Sequence, residues 1–181
     1  MTNHEKILVI SDIHGALCGA SLMEEALRVQ EAQKILCLGD ILYHGPRNDV
    51  PEDYAPKKVI GIMNRYKDII IAVRGNCEAE VDQMVLEFPC MADANMLYLF
   101  GKKVCMSHGH IYSPANIPSC DVFLYGHTHL PAAEKQNGIV IGNPGSASLP
   151  KNGHPRSYGI LDENGFRVMT SDHQEYMRVS Y

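Results

Sequence analysis

The stretch Lys34–Asp40, reading Lys-Ile-Leu-Cys-Leu-Gly-Asp, holds an unalternating apolar run from Ile35 to Gly39 that stops at a carboxylate. A run this short and without alternation fits a strand buried on both faces, as in a parallel sheet. Gly39 allows a sharp turn. Asp40 then stands at the carboxyl end of a central strand, where open α/β sheets place their ligands. Aspartate at a strand end is also a common turn former. The weight given to Asp40 therefore depends on how the other strand-like runs end.

They end alike. Ile7–Ser11 runs into Asp12-Ile13-His14-Gly15, and Ile69–Val73 into Arg74-Gly75-Asn76-Cys77-Glu78. Val104–Ser107 leads to His108-Gly109-His110, and Val122–Tyr125 to Gly126-His127-Thr128-His129. Each group of metal-capable side chains has a glycine beside it, which permits close approach of backbone to a ligand. The Asp-x-His and His-x-His spacings let two side chains leave one turn toward a common centre. A hard divalent ion accepts carboxylate, amide oxygen and imidazole, with no thiolate required. Asp12 and Asp40, Asn76 and the histidines suffice for two ions, with Asp40 as the best candidate for a shared ligand. Alone, Asp12-x-His14 reads equally as a turn, and His108 as a core histidine. Their joint occurrence, in this order, points to a metal site.

Between these runs, Leu22, Ala26 and Val29 recur at helical spacing, Val59, Ile60 and Met63 mark a second helix, and Val81, Met84 and Val85 predict a short third. The polar stretch Tyr43–Pro56 is long for a connection, and such loops are often functional. Hairpins are predicted at Gly101-Lys102, Asn137-Gly138 and Asn164-Gly165. The first half thus reads βαβαβα and the second half mostly strands, giving a mixed α/β fold of two packed sheets with helices outside. With 181 residues, 45% hydrophobic and 20% charged, one domain over 1–181 is expected.

The net charge of −5 argues against an extended nucleic-acid surface. Ile7–Ile10 is too short for a signal peptide or a membrane span. Six cysteines without a Cys-x-x-Cys pair read as free thiols and a cytoplasmic chain. His4, His154 and His173 have no motif context and read as surface, and His44 is left unassigned.

The five motifs resemble those of the calcineurin-like metallophosphoesterase superfamily. Leu38-Gly39-Asp40 followed by His44-Gly45-Pro46-Arg47-Asn48, Ala72-Val73-Arg74-Gly75-Asn76-Cys77-Glu78, and Asn143-Pro144-Gly145-Ser146 are similar to its small bacterial phosphodiesterase branch. The resemblance runs from about Ile7 to about Leu161. It implies a four-layer αββα sandwich of two mixed β-sheets flanked by helices. It implies one metal held by Asp12, His14, Asp40 and His129 and a second by Asp40, Asn76, His108 and His127. Manganese is the usual metal in such proteins, with iron, zinc or nickel as alternatives. The implied reaction is in-line attack on a small phosphodiester by a hydroxide shared between the ions. Asp40, Asn76, Cys77 and His108 are the implied catalytic group, and homo-oligomers occur in this branch.

Arg47, Asn48 and His110 are candidates for substrate contact, with a solvated loop as the plain reading of the first two. Asn143-Pro144-Gly145-Ser146 reads as a structural turn near the site. Most of the superfamily carries histidine where this chain has Cys77. A thiol is the poorer general acid, so good leaving groups are expected to be favoured. The competing readings are a phosphomonoesterase on the same scaffold and a non-catalytic metal-binding scaffold, as in the retromer subunit that shares the fold.

Overall fold

The computed structural model describes residues 5–181, so His4 lies outside the described residues. Strands β1 (Ile7–Ile10), β2 (Lys34–Cys37) and β3 (Ile70–Ala72) run parallel, with Leu8 opposite Ile35 and Leu36 opposite Ile71. Parallel neighbours require crossovers, supplied by helices α1 (Leu17–Gln30) and α2 (Pro56–Arg65). After a four-residue helix α3 (Glu80–Gln83), strands β4 (Ala94–Leu99), β5 (Lys102–Ser107), β6 (Val122–Leu124), β7 (Ala132–Gln136) and β8 (Ile139–Asn143) build a second sheet in the order β4-β5-β6-β8-β7. The chain then returns to the first sheet through β9 (Ser157–Asp162), β10 (Gly165–Thr170) and β11 (Glu175–Ser180), giving the order β11-β10-β9-β1-β2-β3.

Side-chain alternation sorts the core into layers. Ile7, Val9, Leu36 and Leu38 of the first sheet meet Val104, Met106, Val122 and Leu124 of the second. Leu8, Ile10, Ile35 and Cys37 point the other way, onto Leu22, Met23, Ala26, Val59 and Met63 of α1 and α2. This explains the lack of alternation in Ile35–Leu38, since both faces are covered. On the outer face of the second sheet, Cys105, Phe123 and Ile141 are covered by Tyr112, Ile117 and Cys120 of the loop between β5 and β6. The outer layer there is loop rather than helix among the described residues. All six cysteines are free, with Cys37, Cys90 and Cys105 buried. No helix among the described residues is long and apolar enough to cross a membrane.

Some local expectations are corrected. Val29 of α1 is exposed, and Met23 takes its place in the core. Val81, Met84 and Val85 are all exposed; Asp82 is the buried residue of α3, and the segment is anchored by Leu86 and Phe88. One helical turn is too short to present an apolar stripe of its own. The first hairpin turns at Phe100-Gly101, both at positive φ, with Leu99 opposite Lys102. Asn137-Gly138 forms its turn as expected, both residues at positive φ between Gln136 and Ile139. In the last hairpin Asp162 pairs with Gly165, so Glu163-Asn164 is the turn. The edge strand β11 was not foreseen, because its alternation is mostly polar.

Phe166 of β10 locks the two sheets together. It is fully buried between Gly159 of β9 and Gly142 of β8. A Cβ at either glycine would come within 2.4 Å and 2.6 Å of its ring, respectively. Phe166→Ala is expected to cost about 3–5 kcal/mol by urea denaturation. A loss below about 1 kcal/mol would show that the sheets do not depend on this contact.

Candidate metal centre

The turns after β1, β2, β3, β5 and β6 converge on one point. Asp12, His14, Asp40, His127 and His129 have φ of 56°, 51°, 55°, 67° and 60°. Side chains rarely adopt this left-handed conformation, and each instance costs on the order of 1–3 kcal/mol. Such strain persists only where surrounding contacts over-determine it. Here they do. The Asp12 N–H donates to Gly39 O at 3.1 Å and the His14 N–H to Asp40 O at 2.9 Å, stitching the first two turns together. Ser146 and Ser148 hydroxyls donate to Asp12 O at 2.8 Å and 3.0 Å, so the Asn143–Ser146 segment does lie against the site.

Glu78 holds the other side. Its buried carboxylate accepts the backbone N–H groups of Asp40 at 2.8 Å, Ile41 at 2.7 Å and Gly75. Gly75 must be glycine, because a Cβ there would lie 2.1 Å from Asp40 Oδ1. Burial and the neighbouring Asp40 push the Glu78 carboxyl up to about 7, against the pull of those donors. Sequence reasoning assigned Glu78 no role. The one signal available was its place at the end of the Gly75-Asn76-Cys77-Glu78 turn.

The side chains present acceptors inward. His14 Nδ1–H donates to Tyr43 O at 2.9 Å, His108 Nδ1–H to Leu38 O at 2.7 Å, and His129 Nδ1–H to Leu149 O. A backbone carbonyl can only accept, so in each neutral ring Nε2 carries the lone pair. Yet His14 Nε2 and His129 Nε2 face each other at 3.2 Å. His108 Nε2 lies 3.2 Å from Asn76 Oδ1, 3.2 Å from His127 Nδ1 and 3.4 Å from Asp40 Oδ2. Asp12 Oδ2 is satisfied by the Ser11 hydroxyl and the His127 N–H. Its Oδ1 is buried without a hydrogen-bond partner, 3.5 Å and 3.3 Å from the Nε2 atoms of His14 and His129. Asp40 Oδ1 accepts the Cys77 N–H at 2.9 Å, while Oδ2 lies 3.7 Å from His14 Nε2. Asp40 Oδ2 therefore borders both halves of the cluster. Lone pairs aimed at lone pairs in a buried place fit positive charge between them. Carboxylate, imidazole and amide are the donors that hard divalent ions take.

The same crowding sets the titration behaviour. Burial raises the carboxyls of Asp12 and Asp40, but the surrounding histidines outweigh it and hold both below the usual range. Burial lowers His14 and His108, but the negative charge of the adjoining Asp12 and Asp40 carboxylates outweighs it, raising both, His108 to about 9. In the metal-free protein a proton thus takes the place of a cation.

A pocket of about 340 Å³ opens above Asp40, Asn76 and His127. Arg47 and Asn48 line it, with Cys77 in its wall. Thr128 and Lys151 also line it and were not foreseen. Nothing in the local sequence around Lys151 marks it, since only the fold brings that loop here. His110 is not among the lining residues; its ring packs 5.4 Å from His108 and 6.2 Å from His127. Arg74 pairs with Asp93 at 2.7 Å.

His14 and His108 bind a proton more tightly folded than unfolded. That contribution to stability is complete below their ordinary value of 6.5 and is lost as pH rises through about 9 for His108. The melting temperature of chelator-treated protein is expected to fall from pH 6.5 to pH 9, and that of manganese-loaded protein to stay level. Parallel curves in a pH series would contradict the reading.

The chain matches the calcineurin-like phosphoesterase superfamily domain over residues 6–165. It is 45% identical over 172 residues to phosphodiesterase YfcE of Escherichia coli strain K12, across 93% of this chain and 94% of that protein. The solved structure of YfcE, a phosphoesterase from E. coli, superposes with a TM-score of 0.94 at 44% identity, covering 97% of this chain and 98% of that one. Vps29 of Chaetomium thermophilum shares the fold, with a TM-score of 0.65 at 16% identity over 95% of this chain and 94% of that one. The sheets and the converging turns lie within the matched residues, and the chain belongs to the calcineurin-like phosphoesterase superfamily.

Proposed function

We propose that the protein hydrolyses a small phosphodiester whose phosphorus sits in the pocket above Asp40. The observation that carries this reading is the buried array of inward acceptor atoms, with Asp12 Oδ1 unpartnered, that reaches a pocket edged by Arg47 and Lys151 through Asp40, Asn76, His127 and His129. Asp12, His14, Asp40 and His129 would hold one divalent ion. Asp40, Asn76, His108 and His127 would hold a second, with Asp40 common to both. Manganese is our choice, with iron, zinc or nickel as alternatives. Bound there, the ions supply Lewis acidity and make water a stronger acid. The YfcE relative, named a phosphodiesterase, supports the diester over the monoester.

The chain's own groups do the rest. Arg47 and Lys151 offer positive charge to the non-bridging phosphate oxygens, in a chain whose net charge is −5. Asn76 Nδ2–H donates to Cys77 Sγ at 3.2 Å, which turns the amide oxygen inward. Burial and the charge of Asp40 push the Cys77 thiol up, so it keeps its proton. That S–H can donate a hydrogen bond but is a poor general acid. Leaving groups that need little protonation are favoured. Free thiols throughout accord with a cytoplasmic chain.

Chelator-treated protein titrated with manganese is expected to hydrolyse bis(4-nitrophenyl) phosphate faster than 4-nitrophenyl phosphate. Asp40→Ala and His127→Ala should each lose on the order of 10²–10³-fold in kcat. Full metal binding with no turnover of either ester would favour a scaffold instead. Cys77→His is expected to raise kcat on alkyl diesters more than on nitrophenyl diesters. Equal changes on both would remove Cys77 from the leaving-group side.

A further inference from the structure

A second concavity, an apolar groove of about 420 Å³, lies directly against the phosphate pocket, and Cys77 belongs to the walls of both. Its sides are Tyr43 and Tyr54 from the long loop, Ile60 of α2, and Val81 and Val85 at α3. Its volume is within the range of roughly 300–1,000 Å³ typical of small-molecule sites.

Val81 is 60% exposed and Val85 39%, although their spacing is that of a core-facing helix. Neither belongs to the buried core, and exposed apolar side chains gathered at a groove mark a binding surface. The opposite wall is held by ring packing. His44 packs between Tyr43 and Tyr54, with ring centroids at 4.6 Å and 5.3 Å. Tyr54 is seated on Gly15, where a Cβ would lie 2.4 Å from its ring, and the Ala55 N–H donates to Gly15 O at 2.8 Å. The aromatic wall is therefore fixed to the turn that carries Asp12 and His14. Lys57 and Asp82 are the charged residues among those lining the groove. The Asp82 carboxylate is nearly buried and accepts the Ala79 N–H at 2.8 Å, so it is already engaged.

A phosphodiester carries two ester groups, and with phosphorus above Asp40 one of them can leave the pocket past Cys77. We propose that the groove receives this group and that it is aromatic or otherwise flat and apolar. This inference rests on the diesterase reading and names the substrate class. Flat rings gain most from two tyrosine rings and a branched aliphatic wall. For a polar sugar or a second phosphate the groove offers Lys57 as its one cationic side chain among apolar and aromatic walls.

The test uses manganese-loaded protein and two non-hydrolysed probes of equal charge, the monomethyl esters of methylphosphonic acid and of benzylphosphonic acid. Calorimetry is expected to show the benzyl ester binding about tenfold tighter to the unsubstituted protein. In a variant carrying Val81→Asn and Val85→Asn, which removes the apolar wall without adding charge, that advantage should vanish while the methyl ester binds as before. Both valines are exposed, so the fold should tolerate the change, and Val85→Asn alone should show a partial loss. Equal binding of both probes, or an advantage that survives the substitutions, would overturn the inference. So would sedimentation showing a dimer that these substitutions break, because a second copy would then cover the groove. If the protein hydrolyses bis(4-nitrophenyl) phosphate but shows no benzyl preference, the groove assignment alone fails. If it binds neither probe and hydrolyses no diester, the diesterase reading fails with it.

Discussion

His14 and His129 turn their Nε2 atoms toward each other at 3.2 Å, with the unpartnered Asp12 Oδ1 beside them. Burial makes such an arrangement expensive unless positive charge sits within it. Much of the local structure serves to maintain it. Backbone carbonyls of Tyr43, Leu38 and Leu149 fix the outer nitrogens of three rings. The Glu78 carboxylate gathers three N–H groups from the Asp40 and Asn76 turns. The two serines behind Asp12 hold its carbonyl. Five ligand candidates remain in left-handed backbone conformations because these contacts leave no alternative. The packed sheets below are what make the contacts rigid enough to do so.

Sheet order explains why residues so far apart in sequence meet. β1, β2 and β3 end side by side in one sheet, and β5 and β6 do so in the other. Parallel strands end at a common edge, so the turns after them share one region of space. The Phe166 contact with Gly142 and Gly159 holds the two sheets close. The His108 and His127 turns of the second sheet thereby reach the Asp12 and Asp40 turns of the first.

Much of the site was legible because it is written in residues that chemistry treats specially. A carboxylate or imidazole at the end of one apolar run reads equally as a turn or core residue, but five such ends in one chain reinforce each other. The buried double-faced strand Ile35–Leu38 was legible for the same reason, since a lack of alternation reports cover on both sides. What escaped was set by tertiary context. Glu78 could have been a surface charge, and only the approach of the Asp40 backbone makes it a clamp. Lys151 arrives by the loop that follows β8, and only the parallel pairing of β8 beside β6 brings that loop to the site. Val81 and Val85 obey helical spacing, but periodicity says which residues share a face and not what that face meets. Left-handed backbone at Asp12 or His127 leaves no mark in composition at all.

The most direct test of the central claim is the magnetic state of bound manganese. If the acceptor array exists to hold two ions with Asp40 Oδ2 between them, protein loaded to saturation should bind two manganese ions per chain. Electron paramagnetic resonance should then show an exchange-coupled pair, which separates into isolated ions in Asp40→Asn. A single uncoupled six-line signal at saturation would contradict a shared dinuclear centre. It would leave the facing lone pairs of His14 and His129 to be explained by one ion alone.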